Sequence, residues 1–101
     1  MSNTDPDVII AEARRAVLAW VVERRPGWYD SNEELARVFC ELLPDDVDLE
    51  LTIVRNPSAL VYEARWLHNG RDVSEFPKPF SAEAVGDARV LACAALMALQ
   101  D

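Results

Sequence analysis

Apolar residues recur every three to four positions near the start of the chain, which is the spacing of one face of an α-helix. They are Ile10, Ala13, Val17, Trp20 and Val21. Thr4 or Asp5 is a suitable N-cap, and Pro6 fits the first helical turn. The Pro26-Gly27 pair ends the pattern. We therefore expect a first helix over residues 6–25.

A second helical pattern follows a short aromatic connection. Ser31 and Glu34 have the Ser-x-x-Glu spacing of a capping box, in which a serine side chain accepts a hydrogen bond from a backbone N–H of the first turn. The apolar stripe that follows consists of Leu35, Val38, Phe39, Leu42 and Leu43, and Pro44 ends it. The sequence predicts a second helix over residues 32–43, with one face against a core.

After Pro44 the period changes to two, which is typical of strands with one buried face. The apolar positions are Val47, Leu49, Leu51 and Ile53 in a first segment and Leu60, Tyr62, Ala64 and Trp66 in a second. A turn at residues 55–58 joins the two segments, so we expect an antiparallel hairpin over residues 47–67. Residues 73–76 are expected to add a short third strand.

The last segment is rich in alanine and has no charged residue from Val90 to Leu99. With Ser81 as its N-cap, it predicts a helix over residues 82–99. A helix that is apolar all round has to be covered on more than one side, so we expect it at the centre of the core. The predicted fold is α+β, with an antiparallel sheet of two or three strands packed against helices in the order α-α-β-β-(β)-α. Residues 1–101 form one domain in this prediction.

The net charge of the chain limits the classes of molecule that we expect it to bind. Eighteen Asp and Glu residues against ten Lys and Arg residues give a net charge of −8, and the isoelectric point is near 4.5. The average field of such a protein repels the phosphates of nucleic acids and anionic membrane surfaces. The sequence also shows neither a membrane-spanning apolar stretch nor a basic leader. We therefore expect a cytoplasmic protein without direct contacts to nucleic acid or membranes.

Residue types that support catalysis or metal binding are few and scattered. Cys40 and Cys93 each fall within a helical apolar pattern, so we expect two buried thiols rather than a disulfide, a metal site or a nucleophile. His68 is the only histidine and stands in a polar turn. A nucleophile, a base and an orienting group cannot be named together, so we expect no enzymatic activity, no catalytic residue, no metal and no cofactor. A small enzyme is the disfavoured alternative.

The carboxylates and two aromatic residues are the candidates for a binding surface. Asp46, Asp48 and Glu50 share one side of the expected first strand and point in parallel, which suits a solvated face better than a metal site. The predicted partner-binding residues are Trp28, Tyr29, Glu41, Asp46, Asp48 and Glu50. Trp28 and Tyr29 lie in a connection, where aromatic residues serve either as anchors for a partner or as a cover for the end of the core.

The end of the chain resembles a known family. A two-stranded segment followed by Ser81-Ala82-Glu83-Ala84 and the Ala-rich stretch Ala88–Leu99 is similar to the phage ABA sandwich domain over residues 31–100. That resemblance implies no functional residue here. The same helix also resembles the last helix of the double-stranded RNA-binding domain, but Glu83 and Asp87 occupy positions where that family presents lysines to phosphates. RNA binding is therefore not implied.

These observations predict a small acidic protein that acts by binding another protein with a basic surface. The specific hypothesis is a phage- or mobile-element-encoded inhibitor of a host factor that handles nucleic acid or serves in defence. The alternative is a structural domain that forms homodimers through the hairpin, because Val54, Val61 and Leu67 are apolar on its outer face. The same three residues are also explained if the first helix or the chain end covers that face. Fold class alone does not decide between the two.

Overall fold

Three helices and one antiparallel sheet make up a computed structural model of the chain, which describes residues 5–44, 48–73 and 80–100. The helices are α1 (Pro6–Arg24), α2 (Asn32–Glu41) and α3 (Val85–Gln100). The strands are β1 (Glu50–Asn56), β2 (Val61–His68), β3 (Arg71–Asp72) and β4 (Phe80–Ala82). The predicted α+β class is confirmed.

Both N-terminal helices begin at the residues that their caps predict. The Asp5 side chain accepts a hydrogen bond from the backbone N–H of Asp7 at 3.0 Å, and Pro6 occupies the first helical position. The Ser31 hydroxyl accepts from the backbone N–H of Glu34 at 3.1 Å. The first helix therefore matches its predicted range to within one residue, whereas α2 ends at Glu41, two residues before the predicted end.

The predicted antiparallel hairpin of β1 and β2 is present, although β1 begins at Glu50 and the predicted strand position Val47 lies outside the described residues. Leu51 pairs with Trp66 and Ile53 with Ala64, so the apolar positions share the face that carries the core. Leu60 is the exception, because it lies in the turn at a left-handed φ of 57° and is 71% exposed. The prediction that Leu60 points inward was wrong, and the turn comprises residues 57–60 rather than 55–58.

The far edge of β2 carries two short strands. β3 pairs with its last residues and β4 with residues 62–64. Ser81 lies in β4 opposite Glu63, so its prediction as the N-cap of the last helix was wrong, and α3 begins three residues later than predicted. The pairing satisfies backbone groups of β2 that would otherwise lie at an open edge. The third strand was predicted at residues 73–76, of which 74–76 lie outside the described residues.

The last helix lies at the centre of the core, as the sequence predicts. α3 contacts α1 and α2 as well as β1, β2 and β4. Val90, Ala92 and Cys93 on this helix are fully buried, and the Trp66 indole N–H of the sheet donates to the Ala92 carbonyl at 3.1 Å. None of the described helices is long and apolar enough to cross a membrane.

Candidate functional site

A groove of about 570 Å³ lies between the first turns of α1 and the corner that joins β4 to α3. Its apolar lining consists of Pro6, Ile9, Ile10, Val61, Ala82 and Leu91. Ile9 is 41% exposed, and the adjacent Val8 is 47% exposed. A volume of this size is in the range of sites that bind small ligands or a few side chains of a partner.

Among the described residues, the ionisable side chains that line the groove are all carboxylates: Asp5, Asp7, Glu83 and Asp87. They come from the starts of two helices, where acidic residues are favoured because the helix dipole places partial positive charge there. The fold brings both helix starts to one groove, although they are almost 80 residues apart in the chain. Local helix stability thus accounts for each carboxylate, and topology concentrates the negative charge.

A polar network fixes one wall of the groove. The side-chain amide of Asn32 donates a hydrogen bond to Asp87 Oδ1 at 2.6 Å. Arg14 donates to Asn32 Oδ1 at 2.6 Å and to the Tyr29 carbonyl at 3.0 Å. This chain of bonds connects all three helices and holds Asp87 in place.

The aromatic residues predicted as anchors differ in their environment. Trp28 is 85% exposed, and its indole N–H donates to Asp30. Tyr29 is half-buried against the core and donates its hydroxyl to the Arg25 carbonyl at 2.6 Å. Tyr29 therefore covers the end of the core, while Trp28 is free of that role.

The predicted acidic residues are also in different places. Glu41 accepts hydrogen bonds from Arg25 and Arg37, which partly neutralise it. Asp48 and Glu50 are exposed at the beginning of β1. Asp46 lies outside the described residues. Tyr29 and Glu41 both bond to Arg25. The Tyr29 hydroxyl donates to the Arg25 backbone carbonyl, and the Glu41 carboxylate accepts from the Arg25 guanidinium.

The groove between α1 and the β4–α3 corner could not be predicted from the sequence. In the sequence, Asp5 is recognisable only as a helix cap, and Glu83 and Asp87 only as residues that oppose RNA binding. The missing information was spatial, because the pairing of β4 with β2 sets where α3 begins relative to α1. A sequence signal did exist in the two acidic helix starts, but it has an ordinary structural cause and points to no groove.

In the described part of the chain, no group of three or more His, Cys, Asp or Glu residues is placed to hold a metal ion. His68 is exposed at the end of β2. What the described residues do form is a concave acidic surface with an apolar lining, an arrangement suited to recognition.

Comparisons with protein-family models, with curated proteins and with solved structures found no match for this chain. The resemblance of residues 31–100 to the phage ABA sandwich domain therefore stays a prediction. The geometry of the groove is therefore the observation that bears on function.

Proposed function

We propose that the protein binds a partner protein by receiving a basic segment with an apolar side chain in the groove between α1 and α3. The observation that carries this proposal is the lining formed by the described residues, in which every ionisable side chain is a carboxylate and the remaining surface is largely apolar. Carboxylates attract Lys and Arg side chains, and the apolar surface gains from contact with their aliphatic parts or with an apolar neighbour.

The two kinds of lining have different effects on binding. Negative charge raises the rate of encounter with a basic partner and makes that rate sensitive to salt. Apolar contact at Ile9 and Leu91 slows dissociation, because these side chains lose water only in the complex. The charge of the groove also disfavours phosphate groups, in line with the net charge of −8. Host factors that handle nucleic acid have the Lys- and Arg-rich surfaces that such a groove recognises.

Self-association is the second candidate, and the sheet supports it. Among the described strands, β1 pairs only with β2, and a second copy of the chain that added a strand to its other edge would extend the sheet. Val54 on β1 is 45% exposed. A second copy that pairs along this edge would leave the groove accessible, so the two candidates are separable by experiment.

The decisive experiment compares two variants with the same change in charge. Asp7→Asn with Glu83→Gln neutralises two carboxylates of the groove, and Asp48→Asn with Glu50→Gln neutralises two at the start of β1. The probe is a fluorescent peptide of alternating arginine and leucine, with a glutamate-for-arginine peptide as its control. Binding is measured by anisotropy at several salt concentrations.

We expect the groove variant to lose about tenfold or more in affinity and the β1 variant to change little. The reverse order would assign binding to the acidic residues around β1 and overturn the groove. Equal, small losses in both variants, or equal binding of the control peptide, would contradict specific recognition of a basic segment. Sedimentation at several concentrations then identifies a homodimer, if one forms in place of the complex.

A further inference from the structure

Helices α2 and α3 lie side by side and run in the same direction. At their starts, a Cβ atom on Gly86 would lie 2.8 Å from the backbone nitrogen of Glu33, and Asn32 bonds to Asp87. Seven residues further along each helix, about two turns, are Cys40 and Cys93. There the side chains of Cys40 and Cys93 lie close enough to interact with each other. Both cysteines are free thiols, 53 positions apart in the chain but neighbours in the fold.

The two thiols differ in access to solvent. Cys93 is fully buried in the core, whereas Cys40 is only half-buried. A small oxidant therefore reaches Cys40 first. Cys93 lies deeper in the core and is shielded from direct attack.

The surroundings also favour the thiolate of Cys40. A hydrogen bond between the two thiols lowers the pKa of Cys40, and the charge of Arg89 acts in the same direction. Burial and the charge of Glu41 oppose this, but the pKa of Cys40 is still lowered on balance. The same hydrogen bond, together with burial, raises the pKa of Cys93 and keeps it protonated. Because the thiolate is the reactive form of cysteine, Cys40 is the nucleophile of the pair.

We propose that Cys40 and Cys93 form a peroxide-sensitive dithiol, with Cys40 as the attacking cysteine and Cys93 as the resolving cysteine. The Cys40 thiolate attacks one oxygen of hydrogen peroxide, the O–O bond breaks, and hydroxide leaves, which gives a sulfenic acid on Cys40. The Cys93 sulfur then attacks the Cys40 sulfur, and the sulfenic oxygen leaves as water with the Cys93 proton and the sulfenic proton. Two thiols and one peroxide yield one disulfide and two waters, once the proton lost from Cys40 has joined the hydroxide.

The disulfide would join α2 to α3 covalently, and a thiol reductant such as dithiothreitol would restore both thiols. This inference does not rest on the proposed binding function, because neither cysteine lines the acidic groove. Loss of peptide binding and loss of oxidation are therefore independent outcomes.

The test treats the full chain with a small excess of hydrogen peroxide under native conditions. We expect the intact mass to fall by two hydrogen atoms, both thiols to be unreactive towards maleimide when the oxidised protein is subsequently denatured, and dithiothreitol to reverse the change. A tryptic map of the oxidised protein should show the peptides of Cys40 and Cys93 linked within one chain. Two thiols that persist, or a disulfide only between chains, would overturn the proposal.

Two variants assign the roles. In Cys93→Ala, we expect Cys40 to stop at a sulfenic acid that dimedone traps, because the resolving thiol is gone. In Cys40→Ala, we expect Cys93 to oxidise at least about tenfold more slowly than the wild-type pair, because Cys93 is buried and protonated. Oxidation of Cys93 at the wild-type rate in that variant would contradict the assignment. If either variant fails to fold, the peptide map of the wild-type protein still tests whether Cys40 and Cys93 form a disulfide.

Discussion

Gly86 on α3 and Glu33 on α2 approach so closely that a Cβ atom at position 86 would lie 2.8 Å from the Glu33 backbone nitrogen. The same Cβ would lie 3.1 Å from the side chains of Asn32 and Glu33. Backbone atoms of a helix cannot yield without moving the helix. Glycine at this position therefore sets the distance between the two helices that carry Asn32, Asp87 and the cysteine pair.

We predict that Gly86→Ala destabilises the protein by about 1–3 kcal/mol. Alanine is the better helix former by about 1 kcal/mol, so a stabilising change would be expected at an open helical position. The steric overlap of the new Cβ atom with Glu33 makes the expected change in stability unfavourable instead. Chemical denaturation measures the change, and Gly27→Ala serves as the control, because its nearest new contact is an ordinary 3.4 Å to the Tyr29 hydroxyl oxygen. A Gly86→Ala protein as stable as the wild type would show that α2 and α3 separate easily.

The contact between Trp66 and Ala92 ties the sheet to the central helix. Trp66 is 5% exposed, and its indole donates to the Ala92 carbonyl at 3.1 Å. Trp66→Phe removes this hydrogen bond and part of a buried ring, so we predict a loss of about 1–3 kcal/mol in unfolding free energy. Tyr62→Phe on the same strand is the control, since Tyr62 is only half-buried and keeps its ring. Equal effects of the two substitutions would contradict a special role for the indole N–H.

The parts of the fold that could be predicted from the sequence are those set by interactions between residues close together in the chain. The caps at Asp5 and Ser31 act on backbone groups within three residues, so the starts of α1 and α2 follow directly from the sequence. The pairing of β4 with β2 is different, because it joins residues about 18 positions apart through a short segment with no repeating pattern. Ser81 reads locally as a helix cap, and only the free edge of β2 makes it part of a strand.

The candidate site was less predictable for the same reason. Asp5 and Glu83 line one groove, yet each has a local role near the start of its own helix. Cys40 and Cys93 likewise fit two separate apolar patterns, and their contact depends on the relative direction and register of α2 and α3. Trp28 and Tyr29 are adjacent in the sequence, but Trp28 is exposed, whereas Tyr29 bonds to the Arg25 carbonyl and covers the end of the core. Contacts between elements that are far apart in the sequence could therefore not be predicted from it.

The reactivity of Cys40 should depend on pH in a defined direction. Because the pKa of Cys40 is lowered, its thiolate forms at a lower pH than that of an ordinary cysteine. We predict that the rate of alkylation by iodoacetamide rises with pH along a curve whose midpoint lies below that of a cysteine in an unfolded peptide. Cys93→Ala removes the main cause of the shift, so its midpoint should move to higher pH. A midpoint at or above the peptide value in the intact protein would contradict the lowered pKa.

The core around Phe39 gives the largest predicted effect of a single side chain. Phe39 is 1% exposed, and its ring centre lies 4.7 Å from that of Trp20 on α1, so the pair joins α1 to α2. Phe39→Ala leaves a cavity and removes this contact, and we predict a loss of about 3–5 kcal/mol, a large part of the 5–15 kcal/mol typical of a small domain.

Leu60→Ala is the matched control, because it removes a large apolar side chain that is 71% exposed in a turn. The expected change is within about 0.5 kcal/mol. Leu60→Gly should stabilise the protein slightly, since a φ of 57° strains any residue with a Cβ atom. If Leu60 instead packed inward with the apolar face of β2, both substitutions at position 60 would be strongly destabilising. Urea denaturation of the three variants therefore tests both the core and the turn, and distinguishes the observed hairpin from the one that alternation alone predicts.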